Sequence, residues 1–178
     1  MMRKLIIVVN GRGGCGKDTL CDMAAKHYRV RNVSSITPIK RLAESAGWDG
    51  QKDPKSRKML ADLKQLFTEY NDLCNRYILS EADQFMQSDE EILFVHIREG
   101  AEIRKFTEAA KQKCNTVSLL VTRHTADYEN TALGNEADDR VLDYPYTYRY
   151  DNTAPSLEAL EADFIPFLEK ILAEEAVR

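Results

Sequence analysis

A glycine-rich stretch near the start of the chain, NGRGGCGKDTL (residues 10–20), has the spacing of a phosphate-binding loop. Its first glycine and its Gly16-Lys17 pair fit the pattern G-x-x-x-x-G-K. The glycines permit backbone conformations in which successive N–H groups face one anion. Lys17 adds a mobile cation that reaches β and γ phosphates. The residues predicted to bind the triphosphate of ATP are Gly11, Gly13, Gly14, Cys15, Gly16, Lys17, Asp18 and Thr19.

The residue after Lys17 is Asp18, at a position where a Ser or Thr hydroxyl usually holds Mg²⁺, and Thr19 follows one place later. Oxygen ligands suit Mg²⁺, and water often bridges to them, so Asp18 and Thr19 are the predicted metal-holding residues. A carboxylate in the first turn of a helix is also favourable by itself. Both interpretations of Asp18 stay open, and they are compatible.

The predicted loop needs a strand before it and a helix after it, and the sequence offers both. Residues 4–9 form an apolar run typical of a strand buried on both faces, and residues 17–28 suit a helix. Further strands are predicted at 30–36, 91–97, 116–122 and 144–150, with Pro145 marking the start or the edge position of the last. Strands alternating with helices predict an α/β fold in three layers, with a mostly parallel five-stranded sheet between helices.

The predicted helices differ in how clearly they show an inner face. In the first of two predicted amphipathic helices, Leu60, Leu63, Phe67 and Tyr70 keep helical spacing and form an apolar stripe. The last helix begins at about residue 155 and contains Pro166, which predicts a kink or a break. Shorter helices are predicted at 39–46 and 101–113, and a second amphipathic one at 73–85.

Length and composition exclude several classes of protein. A chain of 178 residues with 43% hydrophobic and 30% charged residues fits one soluble domain covering residues 1–178. Its four cysteines form no C-x-x-C pair, which argues against zinc and disulfide frameworks and fits the cytoplasm. A net charge of −4 without a long basic run argues against a nucleic-acid surface. No apolar run approaches the ~20 residues that a membrane span needs.

Beyond these patterns, the segment GRGGCGKDT resembles the loop of phage-type deoxynucleoside monophosphate kinases and animal-type phosphomevalonate kinases, which belong to the adenylate-kinase-like P-loop kinases. Three other segments are similar to that group: TPIKRLA (37–43), SRKMLADL (56–63) and LFVHIREGAEI (93–103). The resemblance implies a nucleoside-monophosphate-kinase-like P-loop NTPase fold that uses ATP and Mg²⁺. It also implies acceptor-binding helices at about 37–88 and a lid at about 123–143. One residue departs from the pattern, because His96 stands where the group has a strand-end Asp.

Basic residues supply the predicted clamp for a phosphate-bearing acceptor. Arg98 is the first choice because it follows a buried strand at the carboxyl edge of the sheet, where ligands of open α/β folds bind. The predicted catalytic residues are Lys17, Asp18 and Arg98. A structural ion pair with Glu99 or Glu102 is the alternative role for Arg98. The remaining predicted residues are Lys40, Arg41 and Arg57 for the acceptor, and Arg123 and Arg140 for the lid.

The type of acceptor follows from which carboxylates are available. Besides Asp18, no acidic residue stands in an obvious strand-end position, and a phosphomonoester, with its second pKa near about 6, needs no base at neutral pH. This favours a small phosphate-bearing substrate such as a (deoxy)nucleoside monophosphate. Two alternatives stay open. Asp18 can serve as base for a hydroxyl acceptor such as a nucleoside or dephospho-coenzyme A, or the chain is a nucleotide-binding sensor without transfer activity.

Overall fold

The computed structural model of the chain describes residues 4–123 and 140–177. Within these residues, strands and helices alternate from the first strand onward. In chain order they are β1 (Leu5–Asn10), α1 (Lys17–Ala24), β2 (Val30–Ser34), α2 (Thr37–Ser45), α3 (Pro54–Asn71), α4 (Leu73–Gln87), β3 (Ile92–His96), α5 (Gly100–Ala110), β4 (Asn115–Thr122), β5 (Tyr148–Asp151) and α6 (Leu157–Val177). A 3₁₀ turn at Val141–Asp143 precedes β5.

The five strands form one sheet in the order β2-β3-β1-β4-β5, and every neighbouring pair is parallel. Leu5 of β1 lies opposite Ile92 of β3 on one side and Asn115 of β4 on the other, so β1 is the central strand. The predicted three-layer α/β fold is confirmed. Because all strands run the same way, their carboxyl ends meet at one edge, and the loop after β1 begins there.

Alternate residues of β1 supply two separate hydrophobic cores. Leu5, Ile7 and Val9 pack on one face of the sheet, together with buried residues of α1 and α6. Ile6 and Val8 pack on the other face, together with buried residues of α4 and α5. All six residues of β1 are buried, as expected for a strand covered by helices on both faces. This rigid centre fixes the start of the glycine loop.

The last helix contains Pro166, for which the sequence predicts a kink or a break. Helix α6 runs unbroken from Leu157 to Val177, so the chain does not break at Pro166, and a kink there stays a prediction. Proline cannot donate to the carbonyl of the residue four places earlier, here Ala162. Both Pro166 and Ala162 are exposed, while Ile165 and Leu168 are buried. The packing of α6 on the sheet therefore holds the helix together across the proline.

The apolar stripe predicted for helix α3 contains no fully buried residue. Leu60, Leu63 and Phe67 are half-buried, and Tyr70 is 79% exposed. The stripe faces the neighbouring helices at the periphery rather than the sheet. The helix ends at Asn71, and the chain turns directly into α4 at Asp72, a non-glycine residue with φ of 56°. Only part of the apolar stripe of α3 is therefore covered.

Candidate phosphate-binding site

The glycine loop joins the carboxyl end of β1 to the start of α1 and needs glycine for two physical reasons. Gly14 and Gly16 have φ of 77° and 97°, which side chains disfavour. A Cβ on Gly16 would also collide with the side-chain amide of Asn152, and one on Gly11 with the carbonyl of Val121. The loop thus adopts the geometry predicted from its glycines.

The loop and the first turn of α1 present a set of backbone donors. Within the described part of the chain, six N–H groups donate to no protein acceptor; they belong to Gly13, Gly14, Gly16, Lys17, Asp18 and Thr19. The last three open α1, and the positive end of a helix dipole favours an anion at this place. Space beside Gly13 is open, since a Cβ there would meet nothing within 4 Å. These donors suit the oxygens of a phosphate chain.

The side chain of Lys17 lies over this loop. Its Nζ donates to the carbonyl of Gly11 at 2.7 Å and to that of Arg12 at 3.0 Å, and lies 3.6 Å from the sulfur of Cys15. The Cys15 thiol is fully buried under the loop. The ammonium group is therefore already placed at the loop, where a phosphate would compete with the two carbonyls for it.

The predicted metal-holding residues lie in the first turn of α1. Asp18 has a carboxylate that is 90% exposed, and Thr19 is half-buried. Gly16 is the N-cap of α1, and no side chain caps the helix. In the described ranges, no group of three or more His, Cys, Asp or Glu side chains could hold a metal ion by itself. One carboxylate and one hydroxyl still fit Mg²⁺, which keeps several waters and takes the rest of its ligands from phosphates.

His96 ends β3 close to Asp18. Its Nε2 lies 2.8 Å from Oδ1 of Asn32, 3.7 Å from the sulfur of Cys21 and 4.0 Å from a carboxylate oxygen of Asp18. Burial lowers the pKa of His96, and the nearby Asp18 opposes this only in part. The ring is therefore neutral at neutral pH. Its contact with Asn32 on the neighbouring strand joins residues 64 positions apart and has no signature in the sequence.

The predicted acceptor residues are placed on the side of β2 and β3. Arg98 is exposed two residues after β3, and its carbonyl accepts a hydrogen bond of 2.8 Å from the side chain of Asn10. Arg41 is exposed on α2 with its guanidinium 5.6 Å from the centre of the Tyr77 ring. Lys40 is exposed on the same helix, and Arg57 is exposed in the first turn of α3.

The predicted lid lies mostly outside the described residues. Arg123 directly follows β4 and is exposed, and Arg140 is exposed at the start of the second described range. The segment between them, residues 124–139, lies outside those ranges. Closure of this segment over the site stays a prediction.

Other acidic residues also lie at the carboxyl edge of the sheet, so the prediction that only Asp18 stands near a strand end is wrong. Asp151 ends β5, and Glu99 precedes α5 just after Arg98. The Nζ of Lys64 lies 2.6 Å from Glu99 and 3.5 Å from Glu102. Burial raises the pKa of Glu102 and outweighs the effect of Lys64. The two carboxylates proposed as alternative partners of Arg98 are thus held by a lysine of α3.

Two buried asparagines brace the loop and were not predicted from the sequence. Asn10 accepts from the N–H of Gly11 at 2.8 Å and donates to the hydroxyl of Tyr146 at 2.8 Å. Asn152 donates to the carbonyl of Cys15 at 2.9 Å. For Asn10, its position directly before the glycines was an available signal. For Asn152, which lies 137 residues from Cys15, the sequence offers none.

Comparison with known proteins supports the fold. No family model and no curated protein matches the sequence. Among solved structures, shikimate kinase from Bacteroides thetaiotaomicron matches with a TM-score of 0.51 at 14% identity over 94% of this chain and 98% of that chain. Thymidylate kinase from Candida albicans matches with a TM-score of 0.51 at 8% identity over 94% and 92%. TT1252 from Thermus thermophilus matches with a TM-score of 0.50 at 20% identity over 97% and 98%.

These likenesses, together with the loop between β1 and α1, identify the fold. The chain shares the three-layer α/β fold of the shikimate kinase and thymidylate kinase structures. The solved structures named above include kinases with different acceptors, so the shared fold leaves the acceptor of this chain open. In the part of the chain that the structure describes, no helix is both long and apolar enough to cross a membrane.

Proposed function

We propose that the protein is an ATP- and Mg²⁺-dependent phosphotransferase that moves the γ-phosphoryl group to a small phosphomonoester, namely a (deoxy)nucleoside monophosphate. The observation that carries this proposal is the set of six backbone N–H groups without a protein acceptor around the ammonium of Lys17. Packing alone gives no reason for a lysine to lie over a glycine loop at the edge of a parallel sheet. A triphosphate accounts for both features.

At the donor end, the backbone of the loop binds the phosphates and Lys17 neutralises the oxygens of the group that moves. In transfer, an oxygen of the acceptor phosphate forms a bond to the γ phosphorus while the bond to the ADP oxygen breaks. The acceptor is largely a dianion at neutral pH, so no proton has to be removed from it. Positioning and positive charge are therefore the main requirements on the protein.

Asp18 and Thr19 are the residues that would hold Mg²⁺, directly or through water. Bound there, the ion would supply positive charge to the β and γ oxygens. His96, which is neutral at neutral pH, lies 4.0 Å from the carboxylate of Asp18 and brings no negative charge of its own. The carboxylate of Asp18 is 90% exposed, so it can turn toward the loop by giving up its 4.0 Å approach to His96.

At the acceptor end, the exposed side chains of Lys40, Arg41, Arg57 and Arg98 provide positive charge on α2, on α3 and after β3. Arg98 is the main candidate, because its backbone is held by Asn10 at the same edge of the sheet as the loop. A guanidinium binds phosphate through two parallel hydrogen bonds. Arg98 is therefore the residue proposed to bind the acceptor phosphate.

Binding of ATP tests the donor half of this proposal. Lys17→Ala should lower ATP affinity by at least about tenfold, because a charge-assisted contact of about 1.5–3 kcal/mol is removed. Lys58→Ala is the matched control, since Lys58 pairs with Asp62 on the exposed face of α3. Calorimetric titration measures both. Equal ATP affinity in the two variants would contradict the P-loop assignment.

A screen of acceptors tests the other half. ADP release is measured with nucleoside and deoxynucleoside monophosphates, with nucleosides and with dephospho-coenzyme A, each against ATP alone. Stimulation by a monophosphate and its loss in Arg98→Ala are the expected results. ATP binding without stimulation by any acceptor would instead favour a nucleotide-binding sensor.

A hydroxyl acceptor is the second candidate, and one observation favours it. Glu99 lies one residue after Arg98 at the carboxyl edge, and Lys64 holds its carboxylate in place. A hydroxyl acceptor needs a base, and either this carboxylate or that of Asp18 could supply one. Stimulation of ADP release by a nucleoside or by dephospho-coenzyme A, but by no monophosphate, would establish this alternative.

A further inference from the structure

The side chain of Asn152 lies behind the glycine loop and contacts it at a single peptide. Asn152 follows β5 directly and is 5% exposed. Its own N–H donates to the carbonyl of Thr122 at 2.7 Å, which extends the pairing between β4 and β5 by one residue. The backbone of Asn152 is thus fixed by the sheet, and its side chain starts from a rigid base.

From that base the amide of Asn152 reaches the loop. Its Nδ2 donates to the carbonyl of Cys15 at 2.9 Å in a fully buried hydrogen bond. The same nitrogen packs so closely on Gly16 that a Cβ there would collide with it. A buried hydrogen bond of this kind is costly to break, because both the amide and the carbonyl would be left without partners.

The orientation of the Cys15 carbonyl decides the orientation of the next N–H. The peptide between Cys15 and Gly16 is trans and planar, so its C=O and its N–H point in opposite directions. By holding the carbonyl toward β5, Asn152 turns the N–H of Gly16 away from β5. That N–H is one of the six loop donors with no protein acceptor in the described ranges.

Gly16 has no side chain to limit the rotation of the peptide that precedes it. With φ of 97° and no side chain, it can rotate the adjoining peptide at little cost. A rotated peptide would present a carbonyl to the phosphate instead of a donor. A restraint from outside the loop removes this alternative before the ligand binds, which is how preorganisation raises affinity.

We propose that Asn152 is a positioning residue for the phosphates of the donor nucleotide, because it locks the Cys15–Gly16 peptide with the Gly16 N–H directed at the anion. The proposal rests on the proposed function, since it deepens the account of the same site. Asn152 itself touches no phosphate. Its effect reaches the ligand only through the backbone of the loop.

The test compares Asn152→Ala with Asn75→Ala. Asn75 is a suitable control because it is also a buried asparagine, 8% exposed, and donates to Asp72 at the start of α4. Both variants should lose some thermal stability. Only Asn152→Ala should weaken binding of ATP and of inorganic tripolyphosphate, each by about tenfold, as expected for losing one hydrogen bond to a charged group. Tripolyphosphate is used because it carries no base or sugar.

The outcomes separate this proposal from the proposed function. If the unaltered protein binds neither ATP nor tripolyphosphate, the proposed function is wrong. The second case is that the unaltered protein binds both ATP and tripolyphosphate. If the two variants then show unchanged affinities, or equal losses of affinity, only the proposed role of Asn152 is wrong. If Asn152→Ala lost affinity for ATP but not for tripolyphosphate, the proposed role of Asn152 would also be wrong, because the substitution would then act on the binding of the base or sugar.

A measurement on the unaltered protein covers the case in which Asn152→Ala does not fold. In ¹H–¹⁵N NMR spectra, tripolyphosphate should shift the Gly16 amide proton downfield, because that N–H becomes a donor to an anion. The Asn152 side-chain amide should keep its position, because it stays bonded to Cys15. A Gly16 amide that does not respond to bound tripolyphosphate would overturn the proposal.

Discussion

Gly16→Ala is the substitution for which the structure gives the most definite energetic consequence. An alanine would have to adopt φ of 97°, which costs a residue with a side chain about 1–2 kcal/mol. Its methyl group would also occupy the place of the Asn152 amide nitrogen. Displacing that amide from the carbonyl of Cys15 adds about 1–2 kcal/mol. The expected loss in free energy of unfolding is therefore about 2–4 kcal/mol.

The matched control for this substitution is Gly13→Ala in the same loop. Gly13 does not have positive φ, and an added Cβ there would meet nothing within 4 Å. For a domain of this size, 1 kcal/mol corresponds to about 2–4 °C in Tm. The melting temperature of Gly16→Ala should lie about 4–16 °C below that of the unaltered protein. The melting temperature of Gly13→Ala should be close to that of the unaltered protein. Equal melting temperatures of the two variants would refute the reasoning about strain and collision at Gly16.

Two further predictions concern titration and ion pairing. Because burial lowers the pKa of His96, the unfolded chain binds a proton at this residue more readily than the folded chain does. The free energy of unfolding should therefore fall as the pH is lowered through about 6.5. His96→Gln should remove that part of the pH dependence. Denaturant unfolding between pH 5 and 8 measures it, and an unchanged slope in the variant would contradict a buried neutral imidazole. Lys64→Met leaves Glu99 and Glu102 without their lysine partner and should lower the free energy of unfolding by about 1–3 kcal/mol. Glu99 is partly exposed, which keeps this range low. Lys58→Met, on the solvated face of α3, should lower it by less than about 1 kcal/mol. Chemical denaturation of the two variants checks this, and equal losses would show that the Lys64 pairs are no stronger than a surface pair.

The sheet and the loop were predictable because their determinants are local. The apolar run of β1 and the glycines that follow it lie within 16 consecutive residues, Lys4 to Thr19. Burial on both faces requires continuous apolar sequence, and positive φ requires glycine. Both requirements are met by residue type alone, without knowledge of the rest of the chain.

What surrounds the loop could not be predicted in the same way. Three contacts near the loop join residues that are far apart in the chain. They are Asn152–Cys15 at 137 residues, His96–Asn32 at 64 residues and Lys64–Glu99 at 35 residues. Each contact depends on which strands are neighbours and on how a helix crosses the sheet. For Lys64 and Glu99, moreover, the residue types alone do not distinguish a partly buried ion pair from two solvated charges.

The outcomes at α3 and α6 have one cause. Hydrophobic spacing indicates which residues share a helix face, but the extent of burial depends on what that face meets. The stripe of α3 meets other peripheral helices and leaves Tyr70 exposed, whereas α6 packs directly on the sheet and stays helical through Pro166. Tertiary contacts therefore decided both outcomes against the local pattern.

The most direct test of the central claim follows the γ-phosphoryl group itself. The protein is incubated with Mg²⁺ and ATP labelled at the γ position, together with each nucleoside monophosphate in turn, and the products are separated and identified. The account predicts label in a nucleoside diphosphate, no such product with Lys17→Ala, and normal transfer with Lys58→Ala. Label found only in inorganic phosphate, at the same rate with and without acceptor, would contradict it.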